Sequence, residues 1–172
     1  LGHSLGAYLT PRIINKSNKV SKAIMLAGNA RSLDKLIIEQ YNYLYELNST
    51  EDLKSELGKL KNQISFLHSK KFNFNTSKEN LPLNLSANYW QSILDYNPLK
   101  EVKKVKIPML ILQGERDYQV TIKDFELWKK SLDNNKKVTF ISYPKLNHLF
   151  ITGDKKSEPK EYMIKGIVDE MV

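Results

Sequence analysis

The segment Gly2-His3-Ser4-Leu5-Gly6 constrains what this chain can fold into more than any other stretch. It fits Gly-x-Ser-x-Gly, a pattern that holds a serine in a sharp, strained turn between a strand and a helix. Such a turn needs extended backbone before it, an amphipathic helix after it, and little side-chain bulk where the helix folds back over the strand. Leu5, Tyr8, Leu9, Ile13 and Ile14 supply the helix's apolar face, to about Ile14. Pro11 has no N–H to donate and predicts a kink there. Both glycines are expected to let helix and strand approach closely. Almost nothing precedes Gly2 to form the strand that should feed the turn.

The remaining pattern alternates short apolar runs with helical ones. Ala23–Ala27, ending at Gly28, reads as a buried strand. Met109–Gln113, ending at Gly114, reads as a second, and Val138–Tyr143, stopped by Pro144, as a third. Thr121–Leu132 reads as a helix in which Thr121 and Asp124 resemble a capping box. Glu161–Val172 reads as a helix through Ile164, Ile167, Val168 and Met171. Between the first and second strands the period changes. Leu33–Leu47 is helical. Leu53, Leu57, Leu60, Ile64 and Leu67 mark one face of another helix, with Ser49 or Thr50 as its cap. Phe72–Leu85 reads as a loop, and Ser86–Asp95 as a short helix carrying Tyr89 and Trp90. Alternation of this kind argues α/β architecture, a parallel sheet flanked by helices. The expected division is a core segment at 1–30, an inserted helical region at 31–98, and a second core segment at 99–172.

Composition excludes several function classes. The 172 residues suffice for one domain with a core, and 41% hydrophobic with 27% charged residues is globular rather than disordered. Without cysteine there is no disulfide, thiol nucleophile or thiolate metal site. The net charge of +8 is spread over scattered lysine pairs without interleaved aromatics, which argues a solvated surface rather than a nucleic-acid partner. No apolar run approaches the roughly 18 residues that span a bilayer. Composition assigns no compartment.

Three polar residues fall where chemistry could be assembled. In an open parallel sheet, sites gather at the carboxyl ends of the strands. Ser4 sits in the turn, Asp117 lies three residues past Gly114, and His148 lies five past Tyr143. A serine becomes a nucleophile when a base takes its proton and an acid orients that base. Ser4, Asp117 and His148 are therefore the expected nucleophile, acid and base, in the chain order Ser, Asp, His. Glu115 is the rival acid, but it follows the strand too closely. His3 is read as a packing residue and His68 as a surface residue. No metal ligand set is expected.

The stretches GHSLGAYLTPRI, AIMLAGNARSLDKLIIEQYNYL, YWQSILDYNPL, IPMLILQGERDYQVT and YPKLNHLF resemble the α/β-hydrolase superfamily, more closely its bacterial carboxylesterase-type serine hydrolases. The resemblance implies a Ser4–His148–Asp117 triad acting on a small-molecule carboxylic ester through an acyl-enzyme, without a cofactor. It implies an oxyanion-hole donor at the Leu5 N–H, and a cap at 31–98 where Tyr89 and Trp90 touch substrate. It also implies a larger sheet than the chain supplies, so the chain reads as the C-terminal portion of such a fold, starting at the elbow and inactive alone. The edge at Ile24–Leu26 would then lack a neighbour and favour self-association. The alternative from another class is a non-catalytic interaction or remnant domain that retains the motif. Within the enzyme class the alternatives are a peptidase, lipase or acyltransferase, because a triad does not name its substrate. No membrane or nucleic-acid partner is expected.

Overall fold

A computed structural model describes residues 1–172. The chain forms two compact units, Leu1–Arg31 with Pro98–Val172, and Ser32–Asn97.

The first unit is built on a four-stranded sheet whose strands, β1 (Gly2–His3), β2 (Ala23–Leu26), β3 (Met109–Gly114) and β4 (Val138–Tyr143), lie side by side in chain order. Every pairing is parallel, with Gly2 opposite Met25, Met25 opposite Ile111, and Ile111 opposite Phe140. Side chains alternate between the faces of a strand. On one face Ala23, Met25, Met109 and Ile111 form a core with Ala7 and Ile14 of helix α1 (Leu5–Lys16). A later helix of the same unit closes that core with Phe125, Trp128 and the capping Leu132. On the other face Leu112 packs with Ala27, Tyr143, Leu146 and Phe150, while Ile24 and Ile141 remain exposed.

Several expectations are corrected here. The edge of β2 is covered at Met25 and Leu26, which pair with β1, and Met25 is fully buried; Ile24 has no partner in β1. Helix α1 continues past Pro11 to Lys16. Of the two motif glycines, only Gly2 is needed for close packing, since a Cβ there would come within 2.6 Å of the Gly6 carbonyl oxygen. A Cβ on Gly6 would meet nothing within 4 Å. The expected helix at Glu161–Val172 is instead a 3-10 turn at Pro159–Met163 followed by irregular chain, with Ile164, Ile167, Val168 and Met171 exposed. Gly166 and the β-branched residues around it are weak helix formers, and no packed face compensates.

The second unit contains α2 (Leu33–Leu47), α3 (Glu51–Leu67) and α4 (Ala87–Leu94), with 3-10 turns at Lys78–Asn80 and Pro82–Asn84. Helix α2 packs on α3. The Thr50 side chain caps α3 by accepting the Leu53 N–H at 3.2 Å. Back in the first unit follow α5 (Pro98–Val102) and α6 (Ile122–Ser131). No capping box forms on α6. Asp124, fully buried, instead accepts the Ala30 and Arg31 N–H groups at 2.9 and 3.0 Å and pairs with the Arg31 guanidinium at 2.7 Å. A carboxylate already filled by that chain has no lone pair to spare for its own helix. No helix is long and apolar enough to cross a membrane.

His68, expected at the surface, is half-exposed at the end of α3 but holds Asp34 of α2 across 2.8 Å. Burial alone would push the Asp34 carboxyl up, yet hydrogen bonds from Ser32 and His68, with the charge of His68, outweigh it and hold it below its ordinary value of 3.8. A carboxyl lowered on folding contributes stability that is present above its unfolded value and is lost as pH falls through its folded one. Acid should therefore loosen the second unit below about pH 4. In Asp34→Asn the circular-dichroism signal at neutral pH should melt at a lower temperature and lose part of its acid sensitivity. An acid profile identical to the parent's would remove Asp34 from this role.

Candidate active site

Ser4 sits between β1 and α1 with φ 54° and ψ −120°, a region that side-chain-bearing residues rarely occupy and that costs about 1–3 kcal/mol. Backbone hydrogen bonds hold it there. Its N–H donates to the Leu26 carbonyl at 2.9 Å, and its own carbonyl accepts the Tyr8 N–H at 3.0 Å, starting α1. Leu5 is the first residue of α1, so its N–H has no partner within the helix and remains available at the positive end of the helix dipole.

Asp117 follows the end of β3 in a tight turn and is 2% exposed. Its Oδ1 accepts the N–H groups of Gln119 and Val120 at 2.7 and 3.0 Å. Its Oδ2 faces the Nδ1 of His148 at 2.6 Å and takes a longer contact from Gln113 Nε2 at 3.3 Å. The ring nitrogen facing a carboxylate carries the proton, which leaves Nε2 as the acceptor in neutral His148. His148 is 4% exposed. Glu115, the rival acid, turns away and accepts the Ser142 hydroxyl at 2.7 Å.

The loop carrying His148 is itself held by buried polar groups. Asn147, with no exposed surface, accepts the Leu149 and Ile151 N–H groups on Oδ1 at 2.9 and 3.1 Å. Arg116, beside Asp117, pairs through Nη2 with both Glu161 oxygens at 2.8 Å and donates to the Lys155 carbonyl. Its backbone N–H bonds the Leu146 carbonyl at 3.0 Å. Gly114 makes this approach possible, since a Cβ there would fall 2.4 Å from the Leu146 oxygen and 2.6 Å from that of Asn147.

Of the residues expected from sequence, Asp117 and His148 are directly bonded. Ser4 comes beside them through its neighbour: the His3 Nε2 lies 2.8 Å from the His148 carbonyl oxygen, and the two rings are 4.7 Å apart. The Ser4 hydroxyl is not hydrogen-bonded to the His148 ring in this conformation. Tyr89 and Trp90 lie in the second unit. Trp90 has no exposed surface and spends its indole N–H on the Pro82 carbonyl at 3.0 Å, so in this conformation it is a core residue. Tyr89 is partly buried, which raises its hydroxyl pKa above the ordinary value. Sequence reasoning passed over Asn147, Arg116, Gln113 and any polar role for His3. The signal for the first two was adjacency to His148 and Asp117.

Residues 64–165 match the prolyl oligopeptidase family. The chain is 38% identical over its full length to esterase EstD of Thermotoga maritima, of which it spans 40%. It is also 32% identical over 72 residues, 41% of this chain, to the acylamino-acid-releasing enzyme of Rattus norvegicus, covering 10% of that protein. A puromycin-hydrolyzing peptidase of Mycobacterium tuberculosis aligns over 86% of this chain and 18% of its own at 18% identity and a TM-score of 0.49, too slight a likeness to support an inference. The α/β-hydrolase resemblance read from the sequence agrees with the family match and with the parallel sheet flanked by helices.

Replacing Asn147 by Ala removes the acceptor of two part-buried N–H donors, at up to about 1–3 kcal/mol for each that water does not reach. Amide exchange at Leu149 and Ile151 should accelerate in Asn147→Ala, with a drop in the thermal midpoint. Unchanged protection at both amides would show that the loop is held by other groups.

Proposed function

The chain belongs to the prolyl oligopeptidase family, and we propose that within it Ser4, His148 and Asp117 act as the triad of a serine hydrolase that cleaves carboxylic esters. The observation that carries this reading is the 2.6 Å bond His148 Nδ1 gives to a buried carboxylate, formed beyond the ends of adjacent strands and in contact with His3, the residue before a serine in strained backbone. In the proposed reaction, Ser4 Oγ attacks the ester carbonyl while His148 Nε2 takes its proton. Asp117 keeps the Nδ1 tautomer and balances the charge that develops on the ring. The Leu5 N–H donates to the oxyanion. The protonated ring then returns its proton to the leaving alcohol, and water, deprotonated in turn by His148, releases the acyl group.

Ester substrates are favoured over acylated peptides because the full-length similarity is to a protein named as an esterase, whereas the similarity to the acylamino-acid-releasing enzyme covers 41% of this chain. Turnover of nitrophenyl esters beside acyl-amino-acid anilides in the intact protein separates the two. Ester cleavage should dominate. Ser4→Ala and Asp117→Asn should each lower kcat by about 10⁴-fold or more, the first by removing the nucleophile and the second by releasing the tautomer. Ester turnover that survives Ser4→Ala would instead favour a domain that retains the motif without using it.

A further inference from the structure

The histidine in the second position of the motif is bonded to the general base assigned above. The His3 ring lies against the His148 ring, with centroids 4.7 Å apart and planes inclined by 49°, and its Nε2 is 2.8 Å from the His148 carbonyl oxygen. A carbonyl can only accept, so His3 Nε2 carries the proton.

The placement has a mechanical consequence. Asp117 fixes His148 at one ring atom only, Nδ1. One bond leaves the ring free to swing about it; the tilted His3 ring packed against it opposes that swing, and the His3 bond to the carbonyl holds the main chain from which the ring hangs. His3 also precedes Ser4 in the chain and lies in β1, paired with Leu26. The same short segment therefore carries the nucleophile and grips the base.

We propose that His3 is a positioning residue, which sets the reach of the His148 ring to the Ser4 hydroxyl by donating its Nε2 proton to the His148 carbonyl. The inference rests on the triad reading above, and its test separates the two.

In the intact protein, His3→Leu removes the donor, whereas His3→Gln places an amide N–H near the position of Nε2. A misplacement of the base by about 1 Å costs up to roughly a hundredfold in rate. His3→Leu should lower kcat for a nitrophenyl ester by about ten- to a hundredfold with KM within about twofold, and His3→Gln should recover most of the loss. A residue that only fills space would show no rescue by Gln, which would overturn the proposal, as would wild-type kcat in His3→Leu. If Ser4→Ala keeps its turnover, the triad reading falls and the positioning role with it. If Ser4→Ala is dead but His3→Leu is fully active, the positioning role alone is lost. Nitrogen-15 spectra of the unmutated protein provide a check independent of folding in the variants. The neutral His3 ring should be the Nε2–H tautomer, and an Nδ1–H tautomer would contradict the bond.

Discussion

The hydrogen bond between Asp117 and His148 depends on two loops from neighbouring strands coming closer than most side chains would allow. Parallel pairing of β3 with β4 delivers both loops to the same end of the sheet, with Gly114 opposite Tyr143. Gly114 then leaves room for the Leu146 and Asn147 carbonyls to pass over the end of β3. Arg116 and Asn147, both buried side chains, keep the His148 loop in that position through hydrogen bonds to its backbone. The position of His148 thus follows from strand register, one missing Cβ, and polar groups packed out of water.

A similar device operates where β2 leaves the sheet. Asp124 reaches back from α6 to take two backbone N–H groups and the Arg31 side chain, and Trp128 donates its indole N–H to the Gly28 carbonyl at 2.7 Å. Breaking a buried pair of this kind costs about 3–5 kcal/mol, because the remaining charge is left without water. The loops that leave the carboxyl ends of β2 and β4 are therefore held by side chains of α6 and of the turn after β3.

Much of this was legible in the sequence, for physical reasons. The strands announced themselves because both faces of a parallel sheet favour apolar residues, and glycine ended each of the first two. Asp117 and His148 could be paired because the ends of neighbouring parallel strands converge. What escaped was set by partners distant in the chain. Asp124 looked like a helix cap three residues from Thr121, but its oxygens belong to Arg31, which lies 93 residues earlier. Trp90 read from its own residue type as core more often than substrate wall, and its burial and its bond to the Pro82 carbonyl are set by neighbours that its spacing does not name. The apolar spacing of Ile164, Ile167, Val168 and Met171 imitated a helix face, but those side chains are exposed and Gly166 interrupts the run. His3 looked neutral because its contact, 145 residues away, leaves no local trace.

The central claim is that this arrangement makes Ser4 an activated nucleophile. Mass spectrometry of the intact protein after brief exposure to a fluorophosphonate measures that directly, because such a reagent phosphonylates a serine only when a neighbouring base withdraws its proton. The account predicts one phosphonate on the tryptic peptide that ends at Arg12, at Ser4, and none in His148→Gln. An unlabelled Ser4, or equal labelling with and without His148, would contradict it.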